Sequence, residues 1–201
     1  MGGGEVRKLK APLSESTVRS LKLGEEVLVE GRVHIGRDEV HIRALEMRDK
    51  GEEVPFDLRD GVLFHCGPIS RKEDGWKILA AGPTTSARMN ALEPRFIREF
   101  GVRAIIGKGG MSRATLEAMR ERGCVYLAFT GGAAVLAANG IMRVERVEWL
   151  DLGMPEALWV VEAEDLGPLV VAMDAHGSSL YEQVDRRAEE NLAAIKRDLG
   201  L

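Results

Sequence analysis

The amino-acid sequence predicts an α/β domain with a mixed sheet, and three observations support this fold class. Between residues 102 and 138, apolar strand-like runs alternate with segments of helical spacing. Residues 144–152, 157–162 and 169–173 follow as successive strand-like runs with little helix between them. The final segment carries apolar side chains at helical spacing. The alternating part favours parallel strands covered by helices, and the later part favours a second β layer.

The first half of the chain predicts a strand, a helix and two short strands. Residues 27–33 alternate between apolar and polar side chains, as a half-buried strand does. Asp38 is a suitable N-cap for a helix extending to about Met47, because the apolar side chains that follow share one helical face. Apolar runs at 62–64 and 77–80 predict short strands, and each is followed by a Gly-Pro dipeptide typical of a turn.

The second half predicts a regular alternation. Thr84-Thr85-Ser86 is expected to cap a helix carrying Met89 and Leu92, and another helical stretch passes through Phe96 and Ile97. Buried strands are predicted at 102–106 and 124–129, each followed by a helix. The chain is expected to finish in an amphipathic helix whose apolar face carries Tyr181, Val184, Ala188, Ile195 and Leu199.

Composition and charge exclude several classes of protein. The chain has 201 residues, with 28 Lys and Arg against 32 Asp and Glu and a formal net charge of −4. A nucleic-acid-binding domain would show a basic excess. No apolar run approaches the roughly 20 residues of a membrane-spanning helix, and no signal peptide is recognisable. We therefore expect a cytoplasmic protein with no nucleic-acid or membrane partner, comprising a flexible leader at residues 1–9 and a single domain at residues 10–201.

The familiar nucleotide, hydrolase and metal motifs fail on their spacing. Gly107-Lys108 would need a glycine at Val102 and Ser or Thr at Gly109 to form a phosphate-binding P-loop. A dinucleotide fingerprint would need glycine at Ser112. There is no Gly-x-Ser-x-Gly elbow, and no histidine pair has metal-ligand spacing on one helix. The two cysteines, Cys66 and Cys124, stand alone in apolar runs, which predicts core residues and no disulfide or metal framework.

Four polar loops end strands or begin helices, and together they predict a site for a small polyanion. They are residues 36–41, 82–89, 107–111 and 174–181. Ligands of α/β sheets bind outside the carboxyl ends of the strands, where helix N-termini attract anions. Arg37, Arg88 and Lys108 add positive charge beside the hydroxyl groups of Thr84, Thr85 and Ser86, and arginine binds carboxylates bidentately. A di- or tricarboxylate is therefore the expected ligand, with phosphate as the alternative.

Each of these features also has a purely structural interpretation. Arg37 and Asp38 could form a local ion pair, and Thr84-Thr85-Ser86 could serve only as a helix cap. The glycines after Lys108 could exist only for tight packing. The residues from Asp174 to Tyr181 could be a simple corner between a strand and a helix. The histidines His34, His41 and His65 could all be satisfied packing residues.

Five motifs, taken jointly, resemble a known family. They are Gly36-Arg37-Asp38 with His41, the segment 82–89, the segment 106–111, the segment 153–157, and His176-Gly177-x-x-Leu180-Tyr181. In this order they resemble the beta subunit of class I fumarate hydratase and L-tartrate dehydratase, which are iron–sulfur hydro-lyases. The likeness extends from about Lys10 to the end of the chain. One position departs from it, because Ser178 stands where the family usually has Asn.

The resemblance implies a fold, a partner and roles for individual residues. It implies a swivelling β/β/α three-layer domain and an alpha subunit that ligates a [4Fe–4S] cluster, with no metal held by this chain. It also implies a homodimer of beta subunits within a heterotetramer. Thr84 corresponds to the catalytic base that removes the C3 proton of malate, and Arg37, Thr85, Arg88 and Lys108 correspond to substrate-binding residues. We expect Asp38 and His41 to orient Arg37.

Three functions remain open at this stage. The first is the beta subunit of a fumarate hydratase that interconverts fumarate and (S)-malate. The second is the beta subunit of an L(+)-tartrate dehydratase, because tartrate requires the same carboxylate contacts and differs by one hydroxyl group. The third is an anion-binding module with no chemistry of its own.

Overall fold

The computed structural model describes residues 6–199, which form strands and helices in a mixed α/β arrangement. The strands are β1 (Arg7–Lys10), β2 (Glu26–Gly36), β3 (Val62–His65), β4 (Ile69–Lys72), β5 (Trp76–Ala80), β6 (Ala104–Gly107), β7 (Val125–Ala128), β8 (Ile141–Glu148) and β9 (Leu158–Met173). The α-helices are α1 (Glu15–Arg19), α2 (Asp38–Asp49), α3 (Glu93–Phe100), α4 (Arg113–Arg122), α5 (Ala134–Asn139) and α6 (Leu180–Asp198). Short 3-10 helices occupy Ser86–Met89 and Leu150–Leu152.

The main sheet closes on itself. Its strand order is β1-β2-β3-β6-β7-β9-β8, and β9 also pairs with β2. Strands β1, β2, β3, β6 and β7 are parallel neighbours, whereas β9 runs antiparallel to β2, β7 and β8. Strands β4 and β5 form a separate antiparallel hairpin. The α/β class with a mixed sheet is confirmed, and the closed set of strands is compatible with the swivelling β/β/α architecture.

Strict alternation along the short parallel strands builds two cores. Val62 and Phe64 of β3 face one core, and Leu63 between them faces the other. The same alternation holds along β6 and β7. Because successive side chains of a strand point to opposite faces, a strand buried on both sides contributes to both cores. One core fills the space enclosed by the strands, and the other lies between the sheet and helices α2, α3 and α4.

The structure corrects the prediction for the amino terminus. Residues 7–9 of the predicted leader form strand β1 together with Lys10. This strand pairs in parallel with β2, and Leu9 is 1% exposed. Burial of Leu9 in the core fixes this strand to the sheet. Residues 1–5 of the predicted leader lie outside the described residues.

Two helix starts also differ from the prediction. Arg37, not Asp38, occupies the N-cap of α2, and its side chain makes no capping hydrogen bond. Thr84-Thr85-Ser86 leads into a 3-10 helix at Ser86–Met89 that has no side-chain cap. A lack of capping bonds leaves the polar side chains of both segments available for other contacts. Most of the remaining predicted helices and strands are confirmed to within a few residues.

The C-terminal part differs in two respects. Residues 157–162 and 169–173, predicted as separate strands, belong to the single long strand β9. Its residues 164–168 look like a turn in the sequence, but Leu166 keeps its pairing with β2 through irregularities in the register. Helix α6 forms as predicted, yet Val184, Ile195 and Leu199 on its apolar face are exposed. No helix within residues 6–199 has the length and apolarity needed to cross a lipid bilayer.

Candidate functional site

Three neighbouring parallel strands end at one edge of the sheet, and the predicted site residues follow them directly. Strand β2 ends at Gly36, before Arg37 and Asp38, and β6 ends at Gly107, before Lys108. Strand β3 lies between them and ends at His65. Because all three strands run in the same direction, their carboxyl ends meet at the same edge.

Backbone hydrogen bonds attach the segment with Thr84 and Thr85 to this edge. The N–H of Thr84 donates to the carbonyl of His65 at 2.7 Å. The N–H of Lys108 donates to the carbonyl of Thr84 at 3.3 Å, and the N–H of Ser86 donates to the carbonyl of Lys108 at 3.0 Å. The result is an isolated parallel bridge between Thr85 and Lys108. Thr84 is 9% exposed, whereas Thr85 is open to solvent.

The cations of the site differ in how their charge is balanced. Arg37 pairs through Nη2 with Glu156 Oε1, and both side chains are largely buried. Arg88 Nη2 lies 2.8 Å from Asp38 Oδ2, outside the angular range of a hydrogen bond, so this contact is an ion pair. Lys108 pairs with no carboxylate among residues 6–199. This arrangement leaves a net positive charge at the sheet edge, as an anion site requires.

Gly107 permits the closest packing at this edge. A Cβ atom there would lie 2.0 Å from Ser86 Oγ and 2.8 Å from the Tyr126 hydroxyl. Any larger residue would therefore displace the segment that holds Thr84 and Thr85. Gly110 similarly accommodates the ring of Tyr181, which lies 3.0 Å from the position of a Cβ. The tight-packing interpretation of these glycines thus applies alongside their place next to Lys108.

A buried polar network lies directly behind the site. Glu93 Oε2 is 3.1 Å from His41 Nε2 and 3.1 Å from His65 Nε2, and all three side chains are fully buried. Both contacts fall outside the angular range of a good hydrogen bond, so the attraction is chiefly electrostatic. His41 Nδ1 lies 2.8 Å from the Arg37 carbonyl oxygen. His65 Nδ1 lies 2.9 Å from Ser86 Oγ, which also accepts from the Tyr126 hydroxyl at 2.9 Å.

Burial and charge act against each other on the ionisation of this network. Burial raises the pKa of Glu93, but the positive potential of His41 and His65 outweighs it and lowers the value to about 2. Burial lowers the pKa of His41, but the Glu93 carboxylate outweighs it and the net change is upward. For His65 burial dominates, and its pKa is lowered despite the same carboxylate. These directions favour an ionised Glu93, a protonated His41 and a neutral His65.

The same three residues are the candidate metal ligands of the described chain. Within residues 6–199, the ligand atoms of His41, His65 and Glu93 lie within 4.8 Å of one another. All three are sealed from solvent, and the carboxylate is in direct contact with both imidazoles. These direct contacts are those of an ion network, and the metal content of the purified chain distinguishes such a network from a metal site.

The structure brings Arg37, Thr84, Thr85, Arg88 and Lys108 onto adjoining loops. Their catalytic and binding roles stay predictions. Asp38 pairs with Arg88 and not with Arg37, so that expected partner of Arg37 is wrong. His41 does contact Arg37, through the backbone carbonyl and not the guanidinium. Asp38 lies in the first turn of α2 and faces the 3-10 helix Ser86–Met89. Glu156 forms the ion pair with the guanidinium of Arg37.

Sequence reasoning missed Glu93, Glu156, the involvement of His65, and the contact between His65 and Ser86. Glu156 lies in one of the recognised motifs but had no assigned partner. Glu93 carries a visible signal: it falls on the same helical face as Phe96, Ile97 and Phe100, where a charged residue is unexpected. His65 and Ser86 come from separate loops, so their contact depends on tertiary structure.

The segment from Asp174 to Tyr181 is the predicted corner between a strand and a helix. Asp174 Oδ1 accepts from the N–H groups of His176 and Ser178 at 2.9 and 2.8 Å, which closes the turn. Ser179 then caps α6 through its hydroxyl group. His176 Nε2 lies 2.8 Å from the carbonyl oxygen of Arg19, so its imidazole is held by α1. Ser178 uses only its backbone in this turn, as any residue could.

Comparison with known proteins identifies the family. The model of the family described as Fumarase C-terminus matches residues 5–184. A protein of Methanocaldococcus jannaschii, provisionally named L(+)-tartrate dehydratase subunit beta, is 46% identical over 182 residues, covering 90% of this chain and 93% of its own length. L(+)-tartrate dehydratase subunit beta of Escherichia coli K12 is 37% identical over 191 residues, covering 94% of this chain and 91% of its own length.

A longer relative contains this region as part of a larger polypeptide. A protein of Geobacillus stearothermophilus, provisionally named fumarate hydratase class I, is 40% identical over 190 residues. The match covers 94% of this chain but 36% of the Geobacillus protein. With a family model spanning most of its length and relatives that it matches almost end to end, this chain belongs to the Fumarase C-terminus family.

Proposed function

We propose that this chain is the beta-type subunit of a hydro-lyase that acts on a four-carbon hydroxydicarboxylate, interconverting fumarate and (S)-malate. The observation that carries the proposal is the cluster of Arg37, Arg88 and Lys108 beside Thr84 at one sheet edge. A dicarboxylate needs two cationic contacts, and proton removal next to a carboxylate needs a base beside them. The named relatives, which include hydro-lyases for tartrate and fumarate, support the same reaction class.

The residues of this chain would divide the work between binding and proton transfer. Arg37 and Arg88 bind the two carboxylates through their guanidinium groups, and exposed Thr85 adds a hydroxyl contact. Thr84 accepts the C3 proton of malate through its hydroxyl oxygen. A threonine hydroxyl is a weak base unless a cation stabilises its alkoxide. Lys108, attached to Thr84 by a backbone hydrogen bond and lacking a carboxylate partner among residues 6–199, supplies that cation.

The proposed [4Fe–4S] cluster does not fit this chain and is assigned to a partner alpha subunit. Cys66 and Cys124 are both fully buried, and burial raises the pKa of the Cys66 thiol to about 12. The cluster requires several thiolates converging on one point, and the two cysteines lie in separate strand regions. We propose a heterotetramer of two alpha and two beta subunits, in which the alpha subunit completes the site.

Tartrate is the second candidate substrate. Two relatives with high coverage of both chains carry tartrate dehydratase names, so identity does not favour malate over tartrate. Both substrates require the same carboxylate contacts. The extra hydroxyl group of tartrate requires one further polar contact, which the alpha subunit could equally supply.

The test is activity of the chain co-expressed with a fumarase-type alpha subunit. We expect the purified complex to dehydrate (S)-malate, measured by the ultraviolet absorbance of fumarate, and each subunit alone to be inactive. Turnover of L(+)-tartrate with no turnover of malate would select the second candidate. Tight dicarboxylate binding by the isolated chain, with no activity in the complex, would instead support an anion-binding module.

A further inference from the structure

We propose that Glu93 is a positioning residue for the candidate site: its buried carboxylate holds His41 and His65, and through them the segments that carry Arg37 and Thr84. This inference rests on the proposed function, because it assumes that those two residues act on the substrate. Glu93 itself lies behind the loops and touches none of the proposed substrate-binding groups.

The placement of Glu93 explains how one buried charge is stabilised. Glu93 is the first residue of α3, and the positive end of the helix dipole favours a carboxylate there. Its side chain is fully buried and lies 3.1 Å from one imidazole on each side. A buried carboxylate is costly without compensating charge. The surroundings therefore require at least one of the two histidines to be protonated.

The groups that face its two ring nitrogens point to His41 as the protonated histidine. Its Nδ1 faces the Arg37 carbonyl oxygen, which can only accept a hydrogen bond, and its Nε2 faces the carboxylate, which also only accepts. Both ring nitrogens must therefore carry hydrogen. His41 thus links the Glu93 charge to the backbone of Arg37, at the N-cap of α2.

The contacts of His65 are compatible with a neutral imidazole. Ser86 Oγ accepts from the Tyr126 hydroxyl, and the Ser86 hydroxyl hydrogen is then free to be donated to His65 Nδ1. His65 Nε2 then carries the ring hydrogen towards Glu93. The His65 carbonyl accepts from the Thr84 N–H at 2.7 Å, and the Ser86 N–H donates to the Lys108 carbonyl. The second histidine therefore connects the Glu93 charge to the backbone of Thr84 and Lys108.

Loss of the Glu93 charge should loosen both attachments together. With a neutral residue at position 93, no carboxylate stabilises the imidazolium form of His41. The ring then loses its second proton more readily, and its contact with the Arg37 carbonyl weakens. Small displacements of reacting groups can cost about 100-fold in rate. Glu93→Gln in the assembled enzyme should lower kcat and raise KM for malate, with kcat/KM reduced about 10- to 100-fold. Both constants are expected to change because His41 is attached to the segment with Arg37, a binding residue, and His65 to the segment with Thr84, the proposed base.

A matched control lies on the same helix. Glu99 in the last turn of α3 is exposed and pairs with Arg95, away from the network. Glu99→Gln should leave kcat and KM within about twofold of the unmodified enzyme. Wild-type kinetic constants in a folded Glu93→Gln enzyme would overturn the positioning role. A wild-type complex without hydro-lyase activity would overturn the proposed function instead.

Nuclear magnetic resonance tests the network without relying on activity or on a folded variant. In the 15N-labelled full chain at neutral pH, long-range 1H–15N correlations should show both ring nitrogens of His41 protonated and His65 as the Nε2–H tautomer. Glu93→Gln should abolish the His41 imidazolium, and Glu99→Gln should retain it. A neutral His41 in the wild-type chain would contradict the proposal. So would one equivalent of metal per chain that is lost on Glu93→Gln substitution, because the three side chains would then be ligands.

Discussion

Asp38 in the first turn of α2 and Arg88 in the 3-10 helix Ser86–Met89 form an ion pair in which Oδ2 and Nη2 are 2.8 Å apart. The pair joins two segments that are 50 positions apart in the chain. The carboxylate is more buried than the guanidinium, whose side chain is 51% exposed. Asp38 therefore fixes the direction of Arg88 while leaving its outer face open to a ligand.

Removal of this carboxylate should weaken substrate binding more than catalysis. Asp38→Asn leaves Arg88 charged but no longer held in place, so some of its orientation must be restored on binding. A partly exposed ion pair contributes up to about 1 kcal/mol, which corresponds to a roughly fivefold rise in KM. Steady-state kinetics of the complex measure this rise. Asp49→Asn, at the other end of α2 and paired with Arg95, is the matched control and should change neither constant.

Thr84 should be essential for proton transfer and nearly dispensable for binding. Thr84→Ala in the complex is expected to lower kcat about 100- to 10,000-fold, the usual contribution of a general base, with KM within about threefold. Thr84→Ser should retain most of the activity because it keeps the hydroxyl group. Near-normal turnover of Thr84→Ala would assign the base to another residue. Thr85→Ala, one position along, should instead raise KM with a smaller effect on kcat.

Arg88 should contribute to both binding and the reaction. Arg88→Ala is expected to raise KM steeply, by about tenfold or more, and to slow turnover, because negative charge on the substrate carboxylate grows as the proton leaves. Arg88→Lys should restore only part of the affinity, since an ammonium group cannot form the bidentate contact. Arg98→Ala removes an arginine of α3 that pairs with Glu121 of α4, and it serves as the control. An unchanged KM in Arg88→Ala would remove Arg88 from the site.

The close packing at Gly107 should make this position intolerant of a methyl group. Gly107→Ala places a carbon 2.0 Å from Ser86 Oγ, so the segment with Thr84 must move. Overpacking of this kind typically costs about 1–3 kcal/mol of unfolding free energy. Urea denaturation of the isolated chain measures the loss. Gly75→Ala, where nothing lies within 4 Å of the new atom, should change the unfolding free energy by less than about 1 kcal/mol.

His34 should make the fold sensitive to mild acid. Burial, followed by the charges of Arg32 and Arg146, lowers the pKa of His34 to about 4, from an ordinary value of 6.5. Its folded-state pKa is therefore below the unfolded one, so the unfolded chain takes up the proton first as the pH falls. The unfolding free energy should decrease as the pH falls from about 6.5 towards 4. For this single group the loss between pH 7 and pH 5 is about 2 kcal/mol.

A variant isolates the contribution of His34 from those of the other buried histidines. His65, with its lowered pKa, acts in the same direction, whereas His41, with its raised pKa, acts in the opposite one. In His34→Asn, the difference in unfolding free energy between pH 7 and pH 5 should shrink by about 2 kcal/mol. An identical pH dependence in both proteins would show that His34 is not buried in its neutral form.

The sequence predicts the fold well where one strand or helix carries its own pattern. The alternation in β2 and the apolar runs of β6 and β7 identify buried strands, because burial on one or both faces imposes a period on the side chains. The prediction fails where strand pairing in the folded protein overrides a local residue pattern. Gly167-Pro168 indicates a turn, yet β9 continues through it because β2 supplies pairing partners on both sides.

In the candidate site, too, residues marked by a local pattern are predictable and contacts made by tertiary structure are not. Arg37, Thr84, Arg88 and Lys108 are visible as polar residues next to glycines at predicted strand ends, and the closed sheet places them together. The carboxylates that pair with the two arginines are not marked by any such pattern. Which carboxylate each arginine meets depends on how α2, with Asp38, and the turn before β9, with Glu156, approach the sheet edge, and no local pattern shows this.

The burial of both cysteines has a practical consequence for studying the assembled enzyme. Neither thiol is accessible, and burial raises the pKa of both, so neither supplies the thiolate that alkylating reagents attack. A maleimide or iodoacetamide probe added to the native complex should therefore not label this polypeptide. Any label incorporated before denaturation would therefore report on cysteines of the proposed alpha subunit, and differential alkylation would report loss of a cluster if that subunit holds one.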